Sequence, residues 1–179
     1  SASTRSIVGG DLDGDGDVDL MVGNNAEGNE VWFNDGTGSF TNSGQSLGSN
    51  NTSSLSLGDI DGDGDLDYVE GNYGEGDRVW INDGTGHFTQ TTQKLGNAFT
   101  FCVSLSDVDG DGDLDFFEGN YYEPNQVWIN DGTGFFTMSE QDLGIQSTMT
   151  AALADVDRDG DVDCVSGNYE EPIKVWMNE

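Results

Sequence analysis

Apolar and polar residues alternate along this chain in short bursts, and no burst is long. LMV after Asp19, DYV from Asp67 and DFF from Asp115 each run into Gly-Asn within a few residues, and VW(F/I/M)N segments follow at Val31, Val79, Val127 and Val175. Short runs rich in β-branched and aromatic residues, bounded by Gly, Asn and Asp, predict strands rather than helices. The bursts also recur at a fixed spacing of 48 residues. Aligned at that period, Trp32, Trp80, Trp128 and Trp176 are equivalent, NDGTG recurs at Asn34, Asn82 and Asn130, and an aromatic follows at Phe40, Phe88 and Phe136. Leu-Gly then closes the unit at Leu47, Leu95 and Leu143.

Each unit predicts four strands. Strand one precedes an aspartate-rich loop (LSL at Leu55, VSL at Val103), strand two follows it, VWIN is strand three, and the HFTQ and FFTM segments begin strand four. Asp-Gly is a strong hairpin signal, so NDGTG joins strands three and four. Small residues crowd strand one, among them Gly9, Gly10, Ser56, Ser104, Ala152 and Ala154, as expected where strands converge on a tight axis. Four-stranded repeats of about 40 to 50 residues are the signature of propeller blades. The fold class is therefore all-β: a β-propeller-type array of four four-stranded blades, in one repeat domain spanning 1–179 with repeats 1–48, 49–96, 97–144 and an incomplete 145–179. The fourth unit lacks a counterpart of Gly132 to Gly144, which leaves its strand three as an open edge, a feature proteins usually cover. The array is accordingly expected to be part of a larger or oligomeric propeller, or open, and Ser1 in place of Met points to a processed or truncated product. Two copies could make an eight-bladed ring, whereas a head-to-tail contact that fails to close makes a filament. A tryptophan at one strand position in every repeat reads as a wedge between blades.

The loop between strands one and two carries the chemistry. DxDGDGxxD occurs at Asp11–Asp19, Asp59–Asp67 and Asp107–Asp115, and again at Asp155–Asp163 with Arg158 in place of one glycine. Calcium takes 6 to 8 oxygen ligands, at about 2.3–2.6 Å, and a short loop supplies them when alternate side chains turn inward around a glycine bend. On that reading Asp11, Asp13 and Asp15 give carboxylates, Asp17 gives its backbone carbonyl, and Asp19 closes the site with both oxygens. The same roles fall on Asp59, Asp61, Asp63, Asp65 and Asp67, on Asp107, Asp109, Asp111, Asp113 and Asp115, and on Asp155, Asp157, Asp159, Asp161 and Asp163, for four Ca2+ sites. Magnesium prefers strict octahedral geometry and retained water, and zinc would want His or Cys, of which only Cys164 lies near a loop. Position eight is apolar throughout (Val18, Leu66, Leu114, Val162), as if to pin each loop to a core. A helical EF-hand is the rival, because Asp59–Glu70 and Asp107–Glu118 satisfy its twelve-residue pattern. Position twelve is Val22 and Ser166 in the other loops, so Glu70 and Glu118 read as strand residues.

The charge of −30 comes from 35 acidic and 5 basic residues, and the four loops hold 20 of the acids. Much of the acidity is therefore ligand, and what remains disfavours nucleic acid and anionic membranes as partners. No apolar run is long enough to span a bilayer, so no membrane insertion is expected. Cys102 and Cys164 occupy unmatched positions and are not read as a disulfide. Loops of this kind suit millimolar calcium, which points to a secreted, extracellular or cell-surface protein.

The DxDGDGxxD loop, its following strand and the VW(I/F/M)NDGTGxF segment resemble the FG-GAP or VCBS repeat family. That family includes the calcium-bearing blades of integrin α-subunit propellers and several fungal and bacterial propeller lectins. The resemblance covers essentially the whole chain and implies a loop between the two innermost strands whose aspartates ligate calcium. Such propellers usually close with six to eight blades, a number this chain does not reach.

If the metal loops and NDGTG turns share one face, the strand two to three loops make the other. There Glu27, Glu75, Glu123 and Glu171 are in register, and Tyr73, Tyr121 and Tyr169 match one another and Asn25. An aromatic beside a carboxylate and an amide stacks on a sugar ring and accepts its hydroxyls, making this the candidate ligand surface. The alternative is that Gly-Asn and Glu-Pro shape the turn while the tyrosine packs on the neighbouring blade. The lone His87 has no repeated partner, and no asymmetric catalytic constellation appears, so the protein is not read as an enzyme. The expected function is a calcium-stabilised module for adhesion or for carbohydrate or protein binding, with self-association. The alternatives are a structural subunit of a ring or surface filament and an accessory domain of a polysaccharide-degrading enzyme.

Overall fold

The computed structural model describes residues 3–178, and its strands are all antiparallel. The first unit is a meander of β1 (Ser3–Gly10), β2 (Asp19–Asn25), β3 (Glu30–Asn34) and β4 (Phe40–Asn42). The second repeats it with β5 (Thr52–Gly58), β6 (Asp67–Asn72), β7 (Arg78–Asn82) and β8 (Phe88–Gln90). The third has β9 (Thr100–Ser106), β10 (Asp115–Pro124), β11 (Gln126–Asn130) and β12 (Phe136–Met138). The fourth has β13 (Ile145–Ala154), β14 (Asp163–Asn168) and β15 (Lys174–Trp176), and among the described residues nothing pairs with the outer edge of β15. Glu70 and Glu118 lie inside β6 and β10, as strand residues.

One junction departs from the repeat. β10 runs on to Pro124 and pairs with the start of β13 through Tyr121↔Ser147, Glu123↔Gln146 and Pro124↔Ile145, merging units three and four into a seven-stranded sheet. The corresponding contacts between earlier units are single bridges, Asn25↔Asn51 and Tyr73↔Phe99.

The hydrophobic core sits between units. The first cluster joins Leu12, Met21 and Val31 of unit one to Leu55, Tyr68, Trp80 and Phe88 of unit two. Trp80 stacks on Tyr68 with centroids 5.7 Å apart, and Phe88 meets the same ring edge-on at 5.2 Å. Trp128 packs against the second cluster and Trp176 against the third, so each of these tryptophans wedges between its own unit and the one before. Among the described residues no earlier unit meets Trp32, whose indole N–H donates to Glu30 at 3.0 Å. Full burial of such side chains stabilises by about 1.5–3 kcal/mol each. Strand one runs close to the next unit: a Cβ on Gly10 or Gly58 would lie 2.5 Å from a methyl of Leu66 or Leu114. Those two leucines are position-eight residues and pack on the preceding unit, whereas Val18 is exposed.

A polar seam accompanies the apolar one. Buried Glu70 accepts from the side-chain amides of Asn29 in the preceding unit at 2.7 Å, Asn50 at 2.7 Å and Asn72 at 3.1 Å. One repeat later the equivalents of Asn29 and Glu70 are Asp77 and Glu118, so an amide donor becomes a second buried carboxylate. Asp77 accepts the Asn72 amide at 2.7 Å, while the Thr100 hydroxyl lies 3.1 Å from Asp77 and 3.2 Å from Glu118. That hydroxyl has one proton and satisfies one of them. Burial holds Asp77 well above the usual carboxylate range, with the charges of Glu118 and Glu70 adding to it. Burial also raises Glu118, against hydrogen bonds from Trp128, Asn120 and Thr100 that lower it.

A carboxyl raised in the folded state binds its proton more tightly there than in the unfolded chain. Its contribution is therefore fully present below the unfolded value of 3.8 and is lost as pH rises through the folded one. Asp77→Asn restores the residue found at positions 29 and 125, and is expected to raise stability at pH 7 by about 1 kcal/mol or more. It should also flatten the decline between pH 5 and 8, measured by denaturant unfolding in excess calcium. A variant less stable than the parent at pH 7 refutes the like-charge pair.

Candidate metal centres

Each aspartate loop closes the turn between strands one and two, and its first residue shapes it. Asp11 reaches across the turn to accept from the amides of Gly14 at 2.9 Å and Gly16 at 3.0 Å. Asp59 and Asp107 do the same with Gly62 and Gly64 and with Gly110 and Gly112. In the fourth loop Asp155 accepts from Arg158 at 2.6 Å and Gly160 at 3.2 Å. Arg158 keeps the left-handed backbone of its glycine equivalents, with φ 71° where Gly14 has 77°, Gly62 77° and Gly110 80°. A side chain there costs about 1–2 kcal/mol, from Cβ crowding the following carbonyl.

The last aspartate ties the loop to the sheet. Asp19 is buried and accepts from Leu12 at 2.9 Å within the loop and from Asn34 at 2.8 Å at the end of strand three. Asp67, Asp115 and Asp163 repeat both bonds with Ile60 and Asn82, Val108 and Asn130, and Val156 and Asn178. Each oxygen keeps a second lone pair, which is what a cation would use.

Carboxylate oxygens converge in all four loops, within 4.8 Å of one another. The groups are Asp11, Asp13 and Asp15; Asp59, Asp61 and Asp67; Asp107, Asp109 and Asp115; and Asp155, Asp157 and Asp163. Positions one and three therefore meet everywhere, joined by position five in the first loop and position nine in the others. Asp63, Asp111 and Asp159 stand outside these groups, and each accepts the amide two residues on. The carboxylates of Asp17, Asp65 and Asp113 lie against Gly36, Gly84 and Gly132 of the NDGTG turns. Position seven thus turns its side chain away from the cluster, consistent with the backbone role expected for it; Asp161 is likewise outside its group.

The electrostatics call for a cation. Burial raises Asp13, with the charges of Asp19, Asp15 and Asp11 adding to it, and burial with the charge of Asp63 does the same to Asp61. Asp67 is pushed up to about 6, chiefly by burial, against two backbone hydrogen bonds that lower it. Asp61 Oδ1 is buried with no hydrogen-bond partner. An all-oxygen donor set with an orphaned buried carboxylate oxygen fits a hard divalent ion, and nine-residue loops with this many carboxylates fit calcium best.

The NDGTG turns share the loops' end of the sheet, as expected. Asn82 donates both to Leu66 of its own loop at 3.1 Å and to Leu12 of the preceding unit's loop at 2.8 Å. Asn130 and Asn178 make the same reach, to Ile60 at 2.8 Å and Val108 at 2.7 Å. At the opposite end of the strands lie the strand two to three loops. Glu27, Glu75 and Glu171 are exposed and Glu123 and Asn25 half-buried. Tyr73 packs on Phe99 at 4.7 Å and Phe101 at 5.6 Å of the next unit, Tyr121 meets Phe101 at 5.2 Å, and Tyr73 and Tyr169 remain exposed. Tyr73 therefore packs on the next unit while staying exposed, whereas Tyr121 packs on Phe101 of its own unit.

A cleft of about 250 Å³ opens there across units one to three, lined by Arg5, Asn25, Asn51, Ser53, Tyr73 and Phe101 among others. Repeat alignment singles out Asn25 and Tyr73 but not Arg5 or Phe101, whose equivalents are Ser53 and Met149. His87 is exposed, and Cys102 and Cys164 are free thiols that burial pushes up to about 12.

The profile of an FG-GAP-like repeat matches residues 11–70, 59–117 and 107–166. The chain belongs to the FG-GAP-like repeat family. Each FG-GAP-like match begins on the first aspartate of a metal loop and ends in strand two of the following unit, so it spans the junction as well as the loop. The crystal structure of the computationally designed Ika4 protein superposes with a TM-score of 0.60 at 16% identity, covering 98% of this chain and 91% of that one. BBS1N, crystallised in complex with ARL6DN and soaked with lead, superposes with a TM-score of 0.66 at 10% identity. There the match covers 98% of this chain and 54% of the other, so the chain spans about half of BBS1N. At such identities the likeness concerns the fold alone. No curated protein matches the sequence. Among the described residues no helix is long and apolar enough to cross a membrane.

Calcium at about 100 times the dissociation constant should add roughly 2.7 kcal/mol per independent site. EDTA should therefore lower the melting temperature markedly, and Asp61→Ala should remove one of the calorimetrically counted sites and leave the rest. An unchanged midpoint in EDTA refutes the assignment. Arg158→Gly should raise stability by about 1 kcal/mol in denaturant titrations at saturating calcium, and a loss would show that the arginine side chain holds its loop.

Proposed function

We propose that this chain is a calcium-stabilised β-propeller module of a secreted or cell-surface protein, acting in adhesion or in carbohydrate or protein binding. Calcium is structural in this reading: it holds the turns between strands one and two, while the ligand surface lies at the opposite end of the blades. The observation that carries the proposal is the run of partly exposed aromatics from Tyr73 through Phe99, Phe101, Tyr121 and Tyr122, beside the cleft across units one to three. Aromatic faces next to Asn25, Asn51 and Ser53 offer what a sugar ring requires, an apolar platform with hydroxyl partners around it. Exposed carboxylates in short loops suit millimolar calcium, which supports an extracellular setting.

A glycan array probed in millimolar calcium is expected to give a defined set of hits. Tyr73→Ala should weaken those hits about tenfold, which corresponds to about 1.4 kcal/mol, without changing the rise in melting temperature that calcium produces. A blank array, or hits indifferent to the loss of both Tyr73 and Tyr169, overturns the carbohydrate reading.

A further inference from the structure

We infer that the two open ends of the array are the two halves of one interface, and that the exposed face of unit four seats on the exposed face of unit one of a second copy of this chain. In unit one Ile7 is 58% exposed, whereas its equivalents Leu55 and Val103 are 5% and 8% exposed at inner junctions. Phe40 is 39% exposed and its equivalents Phe88 and Phe136 are 3%. Unit four shows the complementary set. Val156 is 48% exposed where Leu12 and Ile60 are 1%, and Val175 is 49% exposed where Val31 and Val79 are 0%.

These are the two sides of the inner junctions. Leu12 and Val31 contribute to the first core cluster from the earlier unit, and Leu55 and Phe88 meet them from the later one. Val156 and Val175 thus occupy the earlier side, and Ile7 and Phe40 the later side, of a junction the chain does not make with itself. The polar contacts agree. Asn82, Asn130 and Asn178 each donate to a loop carbonyl of the preceding unit, while Asn34 donates within its own unit, to Val18 at 3.1 Å. The carbonyl equivalent to those of Leu12, Ile60 and Val108 is that of Val156, on the exposed face of unit four.

A second copy supplies both missing sides at once. Joined head to tail, two chains bury Val156 and Val175 of each against Ile7, Val18 and Phe40 of the other, and Asn34 reaches the Val156 carbonyl across the contact. The contact is heterologous, so it closes into a ring of two or continues as an open chain of copies. The net charge of −30 opposes association, which places the driving force in the apolar faces and makes the assembly stronger in calcium and in added salt. This inference is independent of what the tyrosine surface binds.

Sedimentation velocity of the 179-residue chain in millimolar calcium, from about 1 to 100 µM, tests it. A two-copy particle or a longer head-to-tail species is expected. Val175→Asp, on one face, and Ile7→Asp, on the other, should each shift the protein to monomer or to much weaker association, with an unchanged far-ultraviolet spectrum. Mixing the two variants should restore a pair, because the intact unit-four face of one meets the intact unit-one face of the other. A folded monomer across the whole range, or association indifferent to both substitutions, overturns the inference. So does a mixture of the two variants that stays monomeric.

Discussion

No unit of this chain is able to bury its own apolar surface, and the rest of the structure depends on that constraint. A three- or four-stranded meander has two faces and no interior, so its apolar side chains become a core only when a neighbour covers them. The three hydrophobic clusters accordingly lie at the three junctions. The wedge tryptophans, the close approach of Gly10 and Gly58 to the next unit's leucines, and the carboxylates held between units all belong to the same solution. It also accounts for the exposure of Ile7 and Val156, whose equivalents Leu55 and Leu12 are buried at inner junctions.

The metal loops are built into these junctions rather than appended to them. Leu12 sits within the first loop and at the same time in the core cluster between units one and two. Its backbone is held from both sides, by Asp19 through its amide and by Asn82 of the next unit through its carbonyl. Gathering the carboxylates around a cation therefore stiffens the segment that positions the next unit's hairpin. Burial strips these carboxylates of hydration and their charges repel one another, which raises Asp13, Asp61 and Asp157. A cation held there would join the packing in one stabilising system with a polar and an apolar half.

What was legible in the sequence was whatever repeats. The 48-residue period predicts the strand order, the hairpin position, the metal loops, the wedge role of tryptophan and the missing outer strand, because each is a local pattern reinforced by its copies. Less legible was anything set by contact between copies. That Glu70 gathers three asparagine side chains from two units requires knowing which strands face each other, and a period alone does not say. The extension of β10 into β13 depends on a single junction, and no pattern marks it.

The departures from the repeat carry more information than the repeat itself. Averaging over four copies leaves Arg5, Ser53, Phe101 and Met149 as one unremarkable position on strand one, yet Arg5 and Phe101 line the cleft beside Tyr73. The same averaging makes Asp77 a conservative variant of Asn29 and Asn125, although it exchanges a hydrogen-bond donor for a second acid facing Glu118. A symmetric array offers a ligand several equal sites. Chemistry confined to one junction has to come from positions where the units differ, and in this chain those positions cluster between units one and three, at the end of the strands away from the metal.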